Sequence, residues 1–270
     1  MKPLWYVELI KKLFPKVRFI AKLTRIPILG KIFDLAMFLG DDIIYLTQDK
    51  VIPVNKDIKK ESDMVLPSQI LEYFIEKANY HWIMNFCICR ESMQCEDYPI
   101  KLGCLFLGEA VLGINPHLGR RVTKEEALKH LKRCREAGLV HMIGRNKLDA
   151  SWLGVKPENK LLSICNCCPD CCLWRVSPIL TKKIGQKIKK MPGVNVKVTD
   201  KCIGCGTCTQ GICFVEAIYL ENKRAFISEE CRGCGRCVDI CPQGAIELTI
   251  DDKLFVKKTI KRIETLVDVT

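Results

Sequence analysis

Residues 202–218 read CIGCGTCTQGICFVEAI, and residues 231–246 read CRGCGRCVDICPQGAI. The two stretches are copies of one pattern, in which three cysteines align at a constant offset and the fourth aligns one residue closer. The aligned cysteines are Cys202, Cys205, Cys208 and Cys213 in the first copy and Cys231, Cys234, Cys237 and Cys241 in the second. Closely spaced cysteines on a curled loop suit a metal centre, and glycines between them let backbone amides approach the sulfur atoms. The repeat predicts two related metal-binding loops.

The repeat resembles the bacterial-type ferredoxin with two [4Fe-4S] clusters, over residues 196–250. In that family the last cysteine of each run ligates the other cluster, and the clusters transfer single electrons. The second copy has the family's C-x2-C-x2-C-x3-C-P run, whereas the first has one extra residue before Cys213 and Phe214 in place of proline. The resemblance implies one cluster on Cys202, Cys205, Cys208 and Cys241, and another on Cys231, Cys234, Cys237 and Cys213. A zinc ribbon needs only four cysteines and does not explain eight in a doubled pattern.

Nine of the ten remaining cysteines form two knots earlier in the chain, and the tenth is Cys134. Nine of the 18 cysteines are candidate ligands for an additional iron-sulfur cluster or for zinc: Cys87, Cys89, Cys95, Cys104, Cys165, Cys167, Cys168, Cys171 and Cys172. Disulfides between such close neighbours are geometrically poor. Buried or redox-active thiols are a third interpretation of these cysteines. On a strand Cys165 and Cys167 share a face while Cys168 points away. The four histidines are expected to be structural or surface residues, and His141 is the best exception, where an imidazole could replace a thiolate.

The net charge of +12 favours an acidic redox partner through electrostatic steering. Residues 9–33 hold seven basic side chains and no acid, interleaved with large apolar ones, so this segment either contacts an anionic membrane surface or forms a solvated helix pair. No secretory signal is visible, and Lys31 and Asp34 interrupt the best candidate for a spanning helix. We expect a cytoplasmic protein, with peripheral membrane contact as one alternative and with no nucleic-acid partner.

Periodicity predicts a helix from Ser68 that continues toward Phe86, and a second helix capped by Thr123 and Glu126 with Cys134 in its core face. Strands are expected at 139–144, 161–165 and 194–200, and a helix at 180–190. The expected fold class is α+β: a helical and mixed cysteine-rich N-terminal domain followed by a pseudo-twofold, bacterial-ferredoxin-like βαβ domain. The expected segments are residues 1–60 (basic and amphipathic), 61–195 (cysteine-rich domain), 196–250 (two-cluster ferredoxin domain) and 251–270 (tail).

Three functions fit this pattern. The leading one is an iron-sulfur electron-transfer protein that relays single electrons through two [4Fe-4S] clusters to a further centre in the N-terminal domain. The alternatives are a redox enzyme whose active site is the knot from Cys165 to Cys172, and a redox-sensing regulator. No Ser-His-Asp set, dinucleotide fingerprint or phosphate loop is apparent, which disfavours hydrolases and nucleotide-dependent enzymes.

Overall fold

A computed structural model describes residues 1–52 and 66–270. The chain is a mixture of helices and strands, as the sequence predicts. Its helices are α1 (Leu4–Leu13), α2 (Val17–Leu23), α3 (Pro27–Met37), α4 (Ser68–Lys77), α5 (Ile88–Met93), α6 (Lys124–Glu136), α7 (Lys147–Leu153), α8 (Lys182–Gly185), α9 (Arg236–Asp239) and α10 (Phe255–Glu264). The predicted domain boundary near residue 60 lies outside the described residues.

A seven-stranded sheet forms the centre of the molecule. Its strands are β1 (Asp42–Tyr45), β2 (His81–Met84), β3 (Leu105–Leu107), β4 (Gly119–Arg121), β5 (Val140–Arg145), β6 (Leu162–Cys167) and β7 (Ile188–Lys190). They lie in the order β4-β2-β3-β6-β5-β1-β7, and every pair is antiparallel except β1 with β7. Such a sheet buries both faces when helices cover each side.

The two faces of the sheet pack against different helices. One face contributes Ile143 and Ile164 to a core shared with α4, α6 and α10. The other face contributes Val140, Met142 and Cys167 to a core that includes residues of α2 and α8, while α1 and α7 cover Trp82 and Phe106 on that side. The segment before residue 60 therefore supplies β1 to the sheet, and the tail supplies a covering helix.

The cysteine repeat lies in a smaller unit that packs against this sheet. Strand β8 (Val194–Val198) pairs antiparallel with β11 (Ile246–Ile250), and β9 (Ile218–Glu221) forms a hairpin with β10 (Arg224–Ile227). The ring of Phe214 packs 5.3 Å from that of Tyr45 on β1. The Thr47 hydroxyl donates to the Gly233 carbonyl oxygen at 2.7 Å. These contacts fix the repeat against the cysteine-rich side of the sheet.

Two predicted helices are shorter in the structure. The helix from Ser68 ends at Lys77, and Trp82 and Ile83 lie on β2, where they point into the cores on opposite faces of the sheet. The helix predicted over 180–190 is confined to Lys182–Gly185. The chain then forms β7, on which Ile188 pairs with Ile43 of β1. In both places a strand pairing at long range overrides a helical pattern. The strands predicted near 139–144, 161–165 and 194–200 are confirmed as β5, β6 and β8.

The capped helix is confirmed in detail. The Thr123 hydroxyl accepts from the backbone N–H of Glu126, and the Glu126 carboxylate accepts from the backbone N–H of Thr123. Cys134 is fully buried on the core face of α6, as predicted. Gly138 follows the helix with a positive φ of 73°, the conformation that glycine adopts most easily at this position.

Candidate metal centres

The first four-cysteine set surrounds a small cavity of about 10 Å³, whose lining includes Cys202, Cys205, Cys208 and Cys241. The three closely spaced cysteines come from the loop after β8, and the fourth comes from the loop before β11, so the fold brings the fourth cysteine of one copy to the other copy. The backbone N–H groups of Ala225 and Ala245 donate to Cys202 Sγ and Cys241 Sγ at 3.4 and 3.3 Å. Such N–H···S bonds stabilise a thiolate.

The second set repeats this arrangement closer to the sheet. A cavity of about 30 Å³ is lined by Cys213, Cys231, Cys234 and Cys237, together with Tyr45 and Phe214. Ala217 N–H donates to Cys213 Sγ at 3.3 Å, as Ala245 N–H does to Cys241 in the other copy. The extra residue of the first copy is accommodated near Gly211, which has a φ of +73° and open space around it. The backbone N–H···S bond to the fourth cysteine is therefore present in both copies despite the extra residue in the first.

The loops fit a four-iron cluster by the chemistry of their donors. Four sulfur ligands around one cavity supply one thiolate for each iron of a cubane. Gly204 and Gly233 both have positive φ, and a Cβ at Gly204 would lie 2.1 Å from the Lys223 carbonyl oxygen. Only glycine allows the loop to pass this close to the hairpin. The assignment of these eight cysteines to clusters remains a prediction.

A third and larger cavity lies beneath the N-terminal helices. Its volume is about 320 Å³, roughly ten times that of the second cavity, and seven cysteines line it: Cys87, Cys89, Cys104, Cys165, Cys167, Cys168 and Cys172. These cysteines come from the start of α5, from the residue before β3, from β6 and from the turn that follows β6. Three separate chain segments, at residues 87–89, 104 and 165–172, therefore converge on one sulfur-lined space.

Neighbouring thiols in this cavity form a string rather than a single knot. The Cys104 thiol lies next to Cys165, Cys165 next to Cys167, and Cys167 next to Cys172, while Cys87 lies next to Cys89. Cys165 and Cys167 lie on the same face of β6, as the strand pattern predicts. This arrangement offers several sulfur ligands along one wall of the cavity.

A buried guanidinium provides positive charge beside the string. Arg90 is fully buried and donates to the carbonyl oxygens of Pro99 and Asn166 at 3.0 and 2.8 Å. A hydrogen bond from the Cys89 thiol, supported by the Arg90 charge, lowers the pKa of Cys87 to about 6 despite its burial. Burial opposes the charge of Arg90, but nearby cysteines raise its pKa above the ordinary value. The electrostatic environment of this site therefore stabilises at least one thiolate.

Among the described residues, three cysteines form a group whose ligand atoms are mutually close enough to bind one metal ion. The Sγ atoms of Cys95, Cys168 and Cys171 all lie within 4.8 Å of one another. Thiolates bound at about 2.3 Å to one tetrahedral metal lie about 3.8 Å apart. Their spacing suits a single metal ion, and Cys168 is shared between this group and the edge of the large cavity.

The structure does not bring His141 to the cysteine cavity. His141 Nδ1 bonds to Asn166 Oδ1 at 2.8 Å, and both side chains lie on the face of the sheet opposite Cys165 and Cys167. Burial lowers the pKa of His141 to about 4. Strand alternation points the His141 ring to the other core, so the structure favours a structural role for His141 over the alternative in which it replaces a thiolate at this cavity.

The sequence did not indicate that two residues, Tyr45 and Arg90, belong to the site. Tyr45 is fully buried, and its hydroxyl has no hydrogen-bond partner in the described part of the chain. Burial, and then the nearby Cys172, Cys167 and Cys234, raise the pKa of this hydroxyl, and the residue also lines the second cavity. Arg90 reads as an ordinary basic residue of a surface helix. Only long-range packing shows what either residue faces.

Residues 194–242 match the family model of the 4Fe-4S dicluster domain. No curated protein matches the chain, and no solved structure does. The C-terminal part of the chain is therefore a ferredoxin-like iron-sulfur domain, which supports a role in electron transfer. Among the described residues, no helix is long and apolar enough to cross a membrane.

Proposed function

We propose that the protein relays single electrons between a partner protein and a centre in the large cysteine-lined cavity, through two [4Fe-4S] clusters. The observation that carries this proposal is the pair of four-cysteine cavities within the stretch that matches the dicluster family. Cys202, Cys205, Cys208 and Cys241 would hold one cluster, and Cys213, Cys231, Cys234 and Cys237 the other. Each cluster supplies reversible one-electron chemistry at a potential that the surrounding protein sets.

The packing between the three cavities supports a relay. Cysteines of the first and second sets share a small apolar cluster with Ile218 and Ile246. Cysteines of the second set also pack on a larger cluster that contains Trp174, Phe214 and two cysteines of the large cavity. The three cavities are thus joined by closely packed, water-excluding side chains. Cys205 of the first set is exposed, which makes that end the natural contact for a partner.

Metal analysis of the anaerobically purified protein tests the proposal. About twelve irons per chain, with matching acid-labile sulfide, are expected if the large cavity also holds a cluster, and about eight if only the repeat does. Cys165→Ser should reduce the iron count to about eight while leaving the paramagnetic resonance of the two ferredoxin-type clusters unchanged. Cys134→Ala is the matched control, because Cys134 is a buried cysteine of α6 outside all three cavities. A colourless, iron-free protein would overturn the proposal.

A redox enzyme with its active site in the large cavity is the second candidate. Its support is the volume of about 320 Å³, which exceeds the space that four thiolates leave in either of the other cavities. An enzyme would keep an iron position open to a small molecule. Addition of cyanide to the reduced protein should then change the spectrum of the third centre, whereas a pure carrier would show no change.

A further inference from the structure

The outer face of α1 to α3 is unusual for a protein surface in water. Thirteen of the twenty-one large hydrophobic side chains that are exposed among the described residues lie in residues 1–39. On α3, Ile28, Ile32 and Leu35 are 74%, 56% and 63% exposed and follow one another at helical spacing on one side. Trp5 and Phe19 are exposed to a similar extent on α1 and α2. Contiguous apolar surface of this kind marks an interaction site.

The exposed charges between these apolar side chains are mostly positive. Lys12, Lys16, Lys22 and Lys31 are all exposed between the apolar side chains. The two acids of residues 1–39 do not balance them, because Glu8 pairs with Lys11 at 2.9 Å and Asp34 is buried between Lys183 and Lys187. A second copy of the chain would bring the same positive charges face to face, which disfavours self-association. Mixed basic and apolar helices instead suit an anionic lipid surface.

The large cavity opens on the same face. Leu13 and Ile20 line the cavity and are themselves 44% and 37% exposed, so the mouth lies between α1 and α2 within the apolar patch. The lining that comes from the N-terminal helices is apolar and includes Phe14, Val17 and Phe33, whereas the cysteines come from α5, the sheet and the turn after β6. A charged, water-soluble molecule would find little to bind at this entrance, while an apolar molecule would leave lipid for a similar environment.

From these features we propose that α1 to α3 seat the protein on an anionic membrane surface and that the cavity receives an apolar, quinone-type molecule directly from the lipid. This inference rests on the proposed electron-transfer function. A quinone in the cavity would take two electrons, delivered one at a time from the reduced partner protein, and two protons from water, and would leave as the quinol. The cysteine-lined wall of the cavity then faces the quinone, which is the electron acceptor, and the apolar mouth faces the lipid from which the quinone enters.

Flotation of the full-length protein with vesicles tests the membrane contact independently of the metal centres. The protein should float with vesicles that contain phosphatidylserine, should bind much less to pure phosphatidylcholine, and should dissociate as salt rises. Replacement of Lys12, Lys16, Lys22 and Lys31 by Gln should weaken binding on the order of several hundredfold, since each lysine near an anionic surface contributes on the order of fivefold. The matched control removes four exposed lysines elsewhere, Lys129, Lys132, Lys253 and Lys257, and should float normally.

The apolar contribution needs its own pair of variants. Ile28→Ser, Ile32→Ser and Leu35→Ser together should abolish flotation, whereas Leu112→Ser with Leu254→Ser, which changes exposed side chains outside the patch, should not. If the parent protein stays in the soluble fraction with anionic vesicles, the patch is not a lipid contact. Concentration-dependent dimerisation that the α3 variant abolishes would assign the patch to a second copy instead. Either result overturns the inference while leaving the iron content, and hence the proposed relay, intact.

Reoxidation kinetics test the cavity. Dithionite-reduced protein on vesicles should be reoxidised faster by a decyl-substituted benzoquinone than by a sulfonated benzoquinone at equal concentration. Ile20→Trp should narrow the mouth, slow reoxidation by the decyl-substituted benzoquinone severalfold and leave reoxidation by the sulfonated benzoquinone unchanged. Ile32→Trp, on the outer face, does not change the cavity and should alter neither rate. Equal rates for the two quinones, unaltered by Ile20→Trp, would refute entry from the lipid.

Discussion

Replacement of Gly204 by alanine should damage the first cysteine loop far more than the same change at Gly211. Both residues have nearly equal positive φ, +69° and +73°, so both alanine variants carry about the same backbone strain, roughly 1–2 kcal/mol. They differ in the space around the added methyl group. At Gly204 the Cβ would lie 2.1 Å from the backbone oxygen of Lys223, whereas at Gly211 it meets no atom within 4 Å.

The clash sets the size of the difference. An ordinary C···O contact is about 3.3 Å, so the loop and the hairpin must separate by about 1.2 Å. The hairpin cannot yield easily, because Asn222 and Lys223 already have positive φ in its turn. Overpacking of this kind costs about 1–3 kcal/mol and occasionally more. We expect Gly204→Ala to lose about 3–4 kcal/mol of unfolding free energy and Gly211→Ala only about 1–2 kcal/mol.

Anaerobic urea unfolding, followed by circular dichroism, measures this difference, and iron analysis shows its consequence for the site. Gly204 lies between Cys202 and Cys205, so its variant should also lose about four irons per chain. Gly206→Ala is a second control within the same loop: its φ is +79°, but the nearest atom, Leu220 Cδ1, lies 3.5 Å from the added Cβ. Equal losses of stability and iron in all three variants would show that strain, and not the hairpin contact, limits this loop.

Three further predictions follow from other residues. Tyr45→Phe should keep the iron content and shift the reduction potential of the cluster beside Cys234 to a lower value in a redox titration, because the substitution removes a buried, unpaired hydroxyl donor that lines the same cavity. An unchanged potential would contradict this role. Burial raises the pKa of Asp41 to about 7, so the folded chain retains a proton that the unfolded chain loses above about pH 4. The free energy of unfolding should therefore fall between pH 4 and 7 by on the order of 2–4 kcal/mol. Asp41→Asn should flatten that fall in urea titrations at pH 5 and 8, and an equal slope would refute the assignment. Thr123→Ala should cost about 1 kcal/mol in the same assay, whereas Thr123→Ser should cost little, because serine retains the capping hydroxyl.

Local sequence signals predicted the parts of the fold that depend on neighbours in the chain. The capping box of Thr123 and Glu126 defines where α6 begins, and the spacing of cysteine and glycine defines the loops of the repeat. The sequence pattern also predicted β5 and β6 of the central sheet, but not β1 or β7, because β1 pairs with β5 about a hundred residues later and β7 returns to pair parallel with β1. A strand held only by such distant partners reads as an ambiguous apolar run in the sequence.

The N-terminal cysteines show the same limit for the site. Strand alternation predicted that Cys165 and Cys167 share a face and that Cys168 points away, and the structure agrees. It could not predict that Cys104 lies beside Cys165, or that Cys95 lies beside Cys171, because these pairs are made by segments far apart in sequence. Spacing therefore identifies cysteines that bind as local loops, while sites assembled across a sheet require its register.

The distribution of charge refines the kind of partner that each end of the relay can accept. The net charge of +12 belongs to the whole chain, but residues 196–250 hold six basic and seven acidic side chains. Two clusters, each with four thiolates, would add about −2 apiece, so this region would be clearly negative. The expectation of an acidic partner came from the total charge, and it fits the basic N-terminal helices rather than the exposed Cys205 end. A protein that exchanges electrons at Cys205 should therefore present basic residues there, while the positive face of α1 to α3 is left for anionic lipid.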